Sequence, residues 1–227
     1  MGSLVRVLPA LVAAISCFTA LAIDVPSPRN LNAYNNSAAD GPYYEFLDYA
    51  PDLRDQGMDN SIKVVCGTGV WLLYDGYYYG VEKEGPALFA NGYGCANYTN
   101  SYYYDKISSL RYAGSPNGFD NAYYNLYEGG GFTGNEFKGN KNAPDVSYLD
   151  MKVSSLITSG ESPWTFFTGQ NYTGEAKCVY PNVINSDGVT MHYYVAGSMQ
   201  YYMGLADNSI RSVAKGCLSD NIIGHPH

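Results

Sequence analysis

The residues of this chain best suited to chemistry are oxygen donors, and they recur in one phrase. It reads Asp59-Asn60-Ser61-Ile62-Lys63-Val64, Asp105-Lys106-Ile107-Ser108-Ser109-Leu110, Met151-Lys152-Val153-Ser154-Ser155-Leu156 and Asp207-Asn208-Ser209-Ile210-Arg211-Ser212-Val213. Carboxylate, amide and hydroxyl oxygens suit a hard cation such as calcium. The same hydroxyls also cap turns by bonding nearby backbone. Nitrogen and sulfur chemistry is sparser. The three histidines are His192, His225 and His227, and no HExxH, nucleophile elbow, phosphate loop or dinucleotide fingerprint is present. Gly129-Gly130-Gly131 reads as a turn because no helical pattern or Lys follows it. His225-Pro226-His227 reads as a terminal tail. Nothing suggests an acid to orient His192 for nucleophilic catalysis. The chain is therefore expected to be no enzyme.

The elements that must position these donors begin after an export signal. Arg6, the apolar run Leu8–Leu21 and the small-x-small triplet Ala20-Leu21-Ala22 read as a signal peptide over residues 1–22. The mature chain then starts near Ile23, and no later stretch is apolar for long enough to span a bilayer. A formal net charge of −8 argues against nucleic acid as a partner. Cys17 leaves with the signal, and Cys66, Cys95, Cys178 and Cys217 remain, an even number that fits an oxidising compartment. Three pairings are possible. Cys66–Cys95 and Cys178–Cys217 are favoured because each stays within one half of the chain. With no CxxC spacing, a zinc site built on these cysteines is not expected. Asn35 and Asn97 head glycosylation sequons, and a third at Asn171 falls in a tight turn.

Aligned on Ile62, Ile107, Val153 and Ile210, the phrase repeats at steps of about 45 residues, with a longer last step. A second phrase precedes the later copies: Leu126-Tyr127-Glu128-Gly129-Gly130-Gly131-Phe132-Thr133-Gly134 and Phe166-Phe167-Thr168-Gly169-Gln170-Asn171-Tyr172-Thr173-Gly174, with a shorter form at Leu73–Gly80. An aromatic, a polar turn, a second aromatic and a Gly predict a hairpin whose two rings meet. Abundant Tyr, Val, Thr and Phe, broken at short intervals by Gly, Asn, Asp and Pro, predict strands throughout. Short helical turns are expected near Ser147–Met151 and Tyr102–Lys106. The runs Tyr77-Tyr78-Tyr79, Tyr102-Tyr103-Tyr104, Tyr193-Tyr194 and Tyr201-Tyr202 put Tyr on both faces of a strand. They predict a Tyr-rich surface for an extracellular protein or glycan.

Tyr127 to Gly134 matches the Tyr-Glu-x-x-x-Phe-x-Gly hairpin of the βγ-crystallin superfamily, and Phe167 to Gly174 matches it with Thr168 in place of Glu. The Asp/Asn-rich Ser-Ser phrase resembles the calcium stretch of the non-lens members. The resemblance covers roughly residues 30 to 217. It implies an all-β chain of two βγ-crystallin-like Greek key sandwich domains with four motifs. Domain 1 is expected at 30–113, a linker at 114–120, domain 2 at 121–217 and a C-terminal tail at 218–227. The hairpin pattern is missing from the first motif, where only Tyr43-Tyr44-Glu45-Phe46 offers aromatics, and the fourth motif carries an insertion within Val183–Met203.

In the family the fifth position of the stretch supplies a hydroxyl, early positions supply acid, amide and carbonyl oxygens, and the partner motif's hairpin completes the site. Here that position holds Lys63, Ser108, Ser154 and Arg211. Two unit charges ~4 Å apart repel by about 4 kcal/mol at an effective dielectric near 20, so Lys63 and Arg211 mark degraded stretches. One imperfect calcium (Ca2+) site per domain follows, weak in affinity, from Asp105, Lys106 and Ser108 in the first domain and Asp150, Lys152, Ser154, Thr168 and Gly169 in the second. The resemblance implies a secreted structural or protective protein. The alternative on the same fold is a binding effector, such as a toxin or antimicrobial component or a protease inhibitor.

Overall fold

The computed structural model describes residues 29–225 apart from 83, 84 and 187, so the expected signal segment at 1–22 lies outside the described residues. The first domain holds β1 (Asn30–Tyr34), β2 (Tyr44–Phe46), β3 (Val64–Tyr74), β4 (Ala87–Asn97) and β5 (Ser109–Ala113). The second holds β6 (Tyr123–Gly129), β7 (Thr133–Gly139), β8 (Ser155–Ser159), β9 (Trp164–Phe167), β10 (Ala176–Val179), β11 (Asn182–Ser186), β12 (Val189–Ala196), β13 (Ser212–Lys215) and β14 (Ile222–Ile223). The expected helical turns are present as short turns at Ser147–Leu149 and around Tyr102–Lys106. Among the described residues no helix is long and apolar enough to cross a membrane.

β3 shows how one strand serves two layers. Its first part pairs with β1 and its last part with β5, while β4 follows it on both sides of a register shift between Gly67 and Gly69. A side chain at Gly67 would sit 1.9 Å from the Asn30 carbonyl oxygen, so the close approach of β1 requires glycine there. The second domain separates its layers. One sheet runs β13-β9-β10-β14 and the other β11-β12-β8-β6-β7. Every pairing is antiparallel except β10 with β14.

Each domain closes around its own tryptophan. Trp71 and Trp164 are fully buried, and each meets a tyrosine ring edge to face: Tyr112 at 5.3 Å and Tyr124 at 4.9 Å. The surrounding aliphatics Leu31, Leu53, Ile62 and Leu73, and Leu126, Val153, Leu156 and Ile210, are fully buried. Each contributes about 1.5–3 kcal/mol relative to exposure. The aliphatic residue of every repeated phrase lies in these cores, which explains why the phrase keeps it. Cys66 is joined to Cys95 across β3 and β4, and Cys178 to Cys217 beside β10.

A third apolar cluster links the domains, with Val70, Leu72, Tyr74 and Ala113 from the first against Tyr127, Ile157 and Met191 from the second. The insertion expected within Val183–Met203 is the β11–β12 hairpin followed by a helical turn at Met199–Met203. The hairpin leans on β4 of the first domain. A side chain at Gly92 would come 2.6 Å from the Val189 side chain, and Ser186 hydrogen-bonds Asn91.

Candidate functional site

The repeated stretches occupy equivalent places in the backbone. The fifth residue of each donates its amide to the carbonyl of an aromatic residue at the start of its own motif's turn: Lys63 to Tyr34, Ser108 to Tyr74, Ser154 to Tyr127 and Arg211 to Phe167, at 2.8–3.0 Å. The second residue of each is left-handed, with φ of 51° at Asn60, 51° at Asp105, 57° at Met151 and 60° at Asn208. Asn and Asp tolerate that region better than other residues with a Cβ, which accounts for three of the four identities. Within each domain the two stretches also face each other. Asn60 donates its amide to the Ile107 carbonyl, and Asn208 to that of Val153.

The second serine of the phrase is structural. The hydroxyls of Ser109, Ser155 and Ser212 each donate at 2.6 Å to the carbonyl of a turn glycine, respectively Gly76, Gly129 and Gly169. Each also accepts the amide of the second hairpin aromatic, Tyr79, Phe132 or Tyr172, at 2.9–3.0 Å. The rings meet as expected, at 5.8 Å for Tyr74–Tyr79 and Tyr127–Phe132 and 5.9 Å for Phe167–Tyr172. The residue after the first aromatic ties the hairpin to the residue seven positions on. Asp75 accepts the Glu82 amide, Thr168 the Glu175 amide, and Glu128 the Asn135 side chain. Thr168 therefore does the work of the acid it replaces. The first stretch has Val64 where the others have the second serine, and its motif has no such folded hairpin.

The first serine is where oxygens gather. Ser108 is buried and donates to the Asn60 side-chain oxygen at 3.3 Å, and half-buried Ser154 donates to that of Asn208 at 3.1 Å. Asp59 lies beside the first pair. One of its carboxylate oxygens accepts from the Tyr77 hydroxyl at 2.9 Å, while the other is buried with no hydrogen-bond partner among the described residues. In the second pair, Asp207 is exposed, and Lys152 reaches the hairpin residue Glu128 at 3.7 Å. Lys106, its counterpart in the first domain, lies over the Tyr102 ring instead, 3.9 Å from the centroid. The hydroxyl-amide oxygen set, a carboxylate and neighbouring carbonyls form an all-oxygen environment suited to calcium, with the fuller set in the first domain.

The other two positions carry cations. Arg211 holds Asp150 through two hydrogen bonds of 2.8 and 2.7 Å, and Gln170 donates to the same carboxylate. The Arg211 hydrogen bonds hold the Asp150 carboxyl below its usual range. Lys63 lies 5.5 Å from the Tyr104 ring and lines an open basin of about 480 Å3 with Asn35, Asn36, Ser37 and Thr99. Both exposed sequon residues, Asn35 and Asn97, border this region, since Asn97 donates to the Ser37 carbonyl. Thr99 donates its amide and hydroxyl to Asn97 and closes the sequon as a turn.

The structure thus regroups the expected ligands. Asp150 lies with Arg211 and the Thr168–Gln170 turn, and Ser154 lies with Asn208. Sequence reasoning passed over Asn60 and Asn208 because their stretches contain Lys63 and Arg211. The identical triplets Asp59-Asn60-Ser61 and Asp207-Asn208-Ser209 were the available signal.

The chain is similar to several known proteins. Geodin, a βγ-crystallin from Geodia cydonium, is 15% identical, with 83% of this chain and 99% of that chain covered and a TM-score of 0.59. A βγ-crystallin from an archaeon is 26% identical over 41% of this chain and 96% of its own, with a TM-score of 0.34. Protein S complexed with calcium is 15% identical over 82% of this chain and 98% of its own, with a TM-score of 0.31. Residues 120–179 match the model of peptidase inhibitor family I36. No curated protein matches the sequence. The chain has the two-domain βγ-crystallin fold.

Proposed function

We propose that this protein is a non-catalytic structural or protective module of an oxidising, extracellular setting, with calcium binding reduced to one weak site per domain. The observation that carries this reading is the asymmetry of the stretches. In each domain one position pairs a serine hydroxyl with an asparagine oxygen, and the equivalent position holds Lys63 or Arg211. Ser108, Asn60 and Asp59 would hold the ion in the first domain, and Ser154, Asn208 and Asp207 in the second. Calcium would supply cross-linking charge between two stretches that are otherwise joined by backbone bonds and one serine–asparagine hydrogen bond. Few carboxylates and a preformed hydroxyl-amide hydrogen bond both favour weak binding, in the range of extracellular modules. The two disulfides support the oxidising compartment.

Calorimetric titration of the full mature chain with calcium tests the reading. Weak heats that fall by one site in Ser108→Ala, and by both in Ser108→Ala/Ser154→Ala, are expected. Absence of heat and of any thermal shift at millimolar calcium sinks the calcium component.

The family match over 120–179 favours a second reading, inhibition of a peptidase by the second domain. The β11–β12 insertion is paired and seated on β4, so an extended free loop there does not support it. Residual activity of peptidases of each mechanistic class, measured with excess protein, tests that reading directly.

A further inference from the structure

We infer that Asp120, Glu161 and His192 form a binding site for a divalent transition-metal ion, with zinc as its natural probe, at the junction between linker and second domain. These three residues bring one imidazole nitrogen and two carboxylate oxygens within 4.8 Å of one another. They lie away from the repeated stretches, so the site is independent of the calcium reading.

The backbone fixes where the three donors meet. β8 is flanked by β6 on one side and β12 on the other, and Ser159 pairs with Tyr123 and Tyr193 in a single row. One residue beyond that row, Gly160 donates its amide to the His192 carbonyl at 2.9 Å, and Glu161 donates to that of Asp120 at 3.4 Å. Gly160 has φ of 83°, and a side chain on it would come 2.3 Å from the Asn121 carbonyl carbon. The linker end therefore lies directly on the end of β8, and the Asp120, Glu161 and His192 side chains emerge together.

A second observation points to a ligand. His192 Nδ1 is shielded from solvent and has no hydrogen-bond partner among the described residues. The imidazole keeps only 13% of its side-chain surface exposed, while Asp120 and Glu161 stand in solvent. A buried ring nitrogen left unpaired costs free energy that a metal bond would recover. Asp120 Oδ1 lies 3.8 Å from it, too long for a hydrogen bond. Two donors on a tetrahedral zinc ion lie about 3.4 Å apart, so this pair closes by about 0.4 Å around an ion. Glu161 closes by about 1.4 Å at most, within the reach of an exposed side chain. Imidazole with carboxylates selects zinc and its neighbours, whereas calcium and magnesium prefer oxygen alone. A bound ion would clamp the linker to two strands of the second domain.

The test is zinc titration of the full mature chain carrying His225→Gln and His227→Gln, which removes the other two histidines. One equivalent of zinc is expected to bind, with a thermal midpoint that rises with zinc concentration. Binding is expected to weaken as pH falls, because His192 must be neutral to ligate. His192→Gln is expected to abolish the isotherm, and Asp120→Asn to weaken it at least tenfold, with near-ultraviolet circular dichroism unchanged without metal. Because Asp120 is exposed, that variant keeps the test decisive if His192→Gln fails to fold. Absence of zinc heat, which would leave a plain His192–Asp120 ion pair, overturns the proposal. Binding that is unchanged in both variants also overturns it.

Discussion

At the scale of single residues, Arg211 ties its own stretch to the neighbouring one in the second domain. Its guanidinium grips Asp150 from the position where a hydroxyl would otherwise stand, and Gln170 holds the same carboxylate from the adjoining turn. If the cation is what closes this position, Arg211→Ser with Met151→Asp should add a calcium-binding event to the second domain. Calorimetry would show one further equivalent of calcium, and an unchanged stoichiometry would mean that the cation is not the block. Met151 is the other misfit. It is 63% exposed at φ of 57°, where the other three stretches place Asn or Asp. A left-handed residue with a long side chain costs roughly 1–2 kcal/mol. Met151→Asn should therefore stabilise the protein by about 1 kcal/mol and raise the thermal midpoint by about 2–4 °C, read by calorimetric unfolding. Residue chemistry was only partly legible in the sequence. Lys63 and Arg211 stood out as cations in place of hydroxyls. That Asn60 and Asn208 complete their neighbours' positions depends on two stretches meeting from opposite motifs, which spacing along the chain does not reveal.

At the scale of elements, each later motif is a hairpin locked from outside by one serine. Ser109, Ser155 and Ser212 satisfy a glycine carbonyl and an aromatic amide at once, so a turn with two successive left-handed residues is held by a single side chain. Removing such a hydroxyl strands a donor and an acceptor, at about 1–3 kcal/mol each. Ser155→Ala should lower the urea-unfolding free energy by at least that amount, whereas half-buried Ser154→Ala should change it by about 0.5 kcal/mol or less. Equal losses from the two variants would remove the distinction between structural and ligand-bearing serine. This architecture was the most legible part of the sequence, because aromatic, turn and glycine recur at fixed offsets. The first motif resisted for a physical reason. With Val64 at the locking position it has no hydroxyl to hold a folded turn, and Tyr34 passes through an Asn- and Ala-containing loop to β2.

At the scale of the whole molecule, a buried cation enclosed in tyrosine adds to the apolar cluster that joins the two domains. Arg111, only 1% exposed, donates from the first domain to the Phe132 and Gly134 carbonyls of the second, and to the Tyr74 hydroxyl. The Tyr74, Tyr79 and Tyr127 rings surround its guanidinium, with centroids at 5.4, 4.7 and 4.5 Å. Tyr49 of the first domain donates to Glu136 of the second nearby. No single segment of sequence announces this arrangement, since its parts lie on four strands and two turns. Arg111→Leu should cost on the order of 3 kcal/mol and split a single unfolding transition into two, visible in calorimetry. The same aromatic burial sets the alkaline limit of the fold. Desolvation raises Tyr79 and Tyr124 to about 12, and pushes Tyr49, Tyr74 and Tyr127 above the ordinary value of 10.0. A folded pKa above the unfolded one means that these groups contribute their full stability below pH 10, and lose it as pH rises through the folded values. The protein should therefore hold its near-ultraviolet circular dichroism to about pH 10 and lose it cooperatively toward pH 12, with the steep part of the tyrosinate absorbance rising in the same interval. If the absorbance instead completes its rise while the dichroism stays native, burial of these hydroxyls is not what limits the fold at high pH.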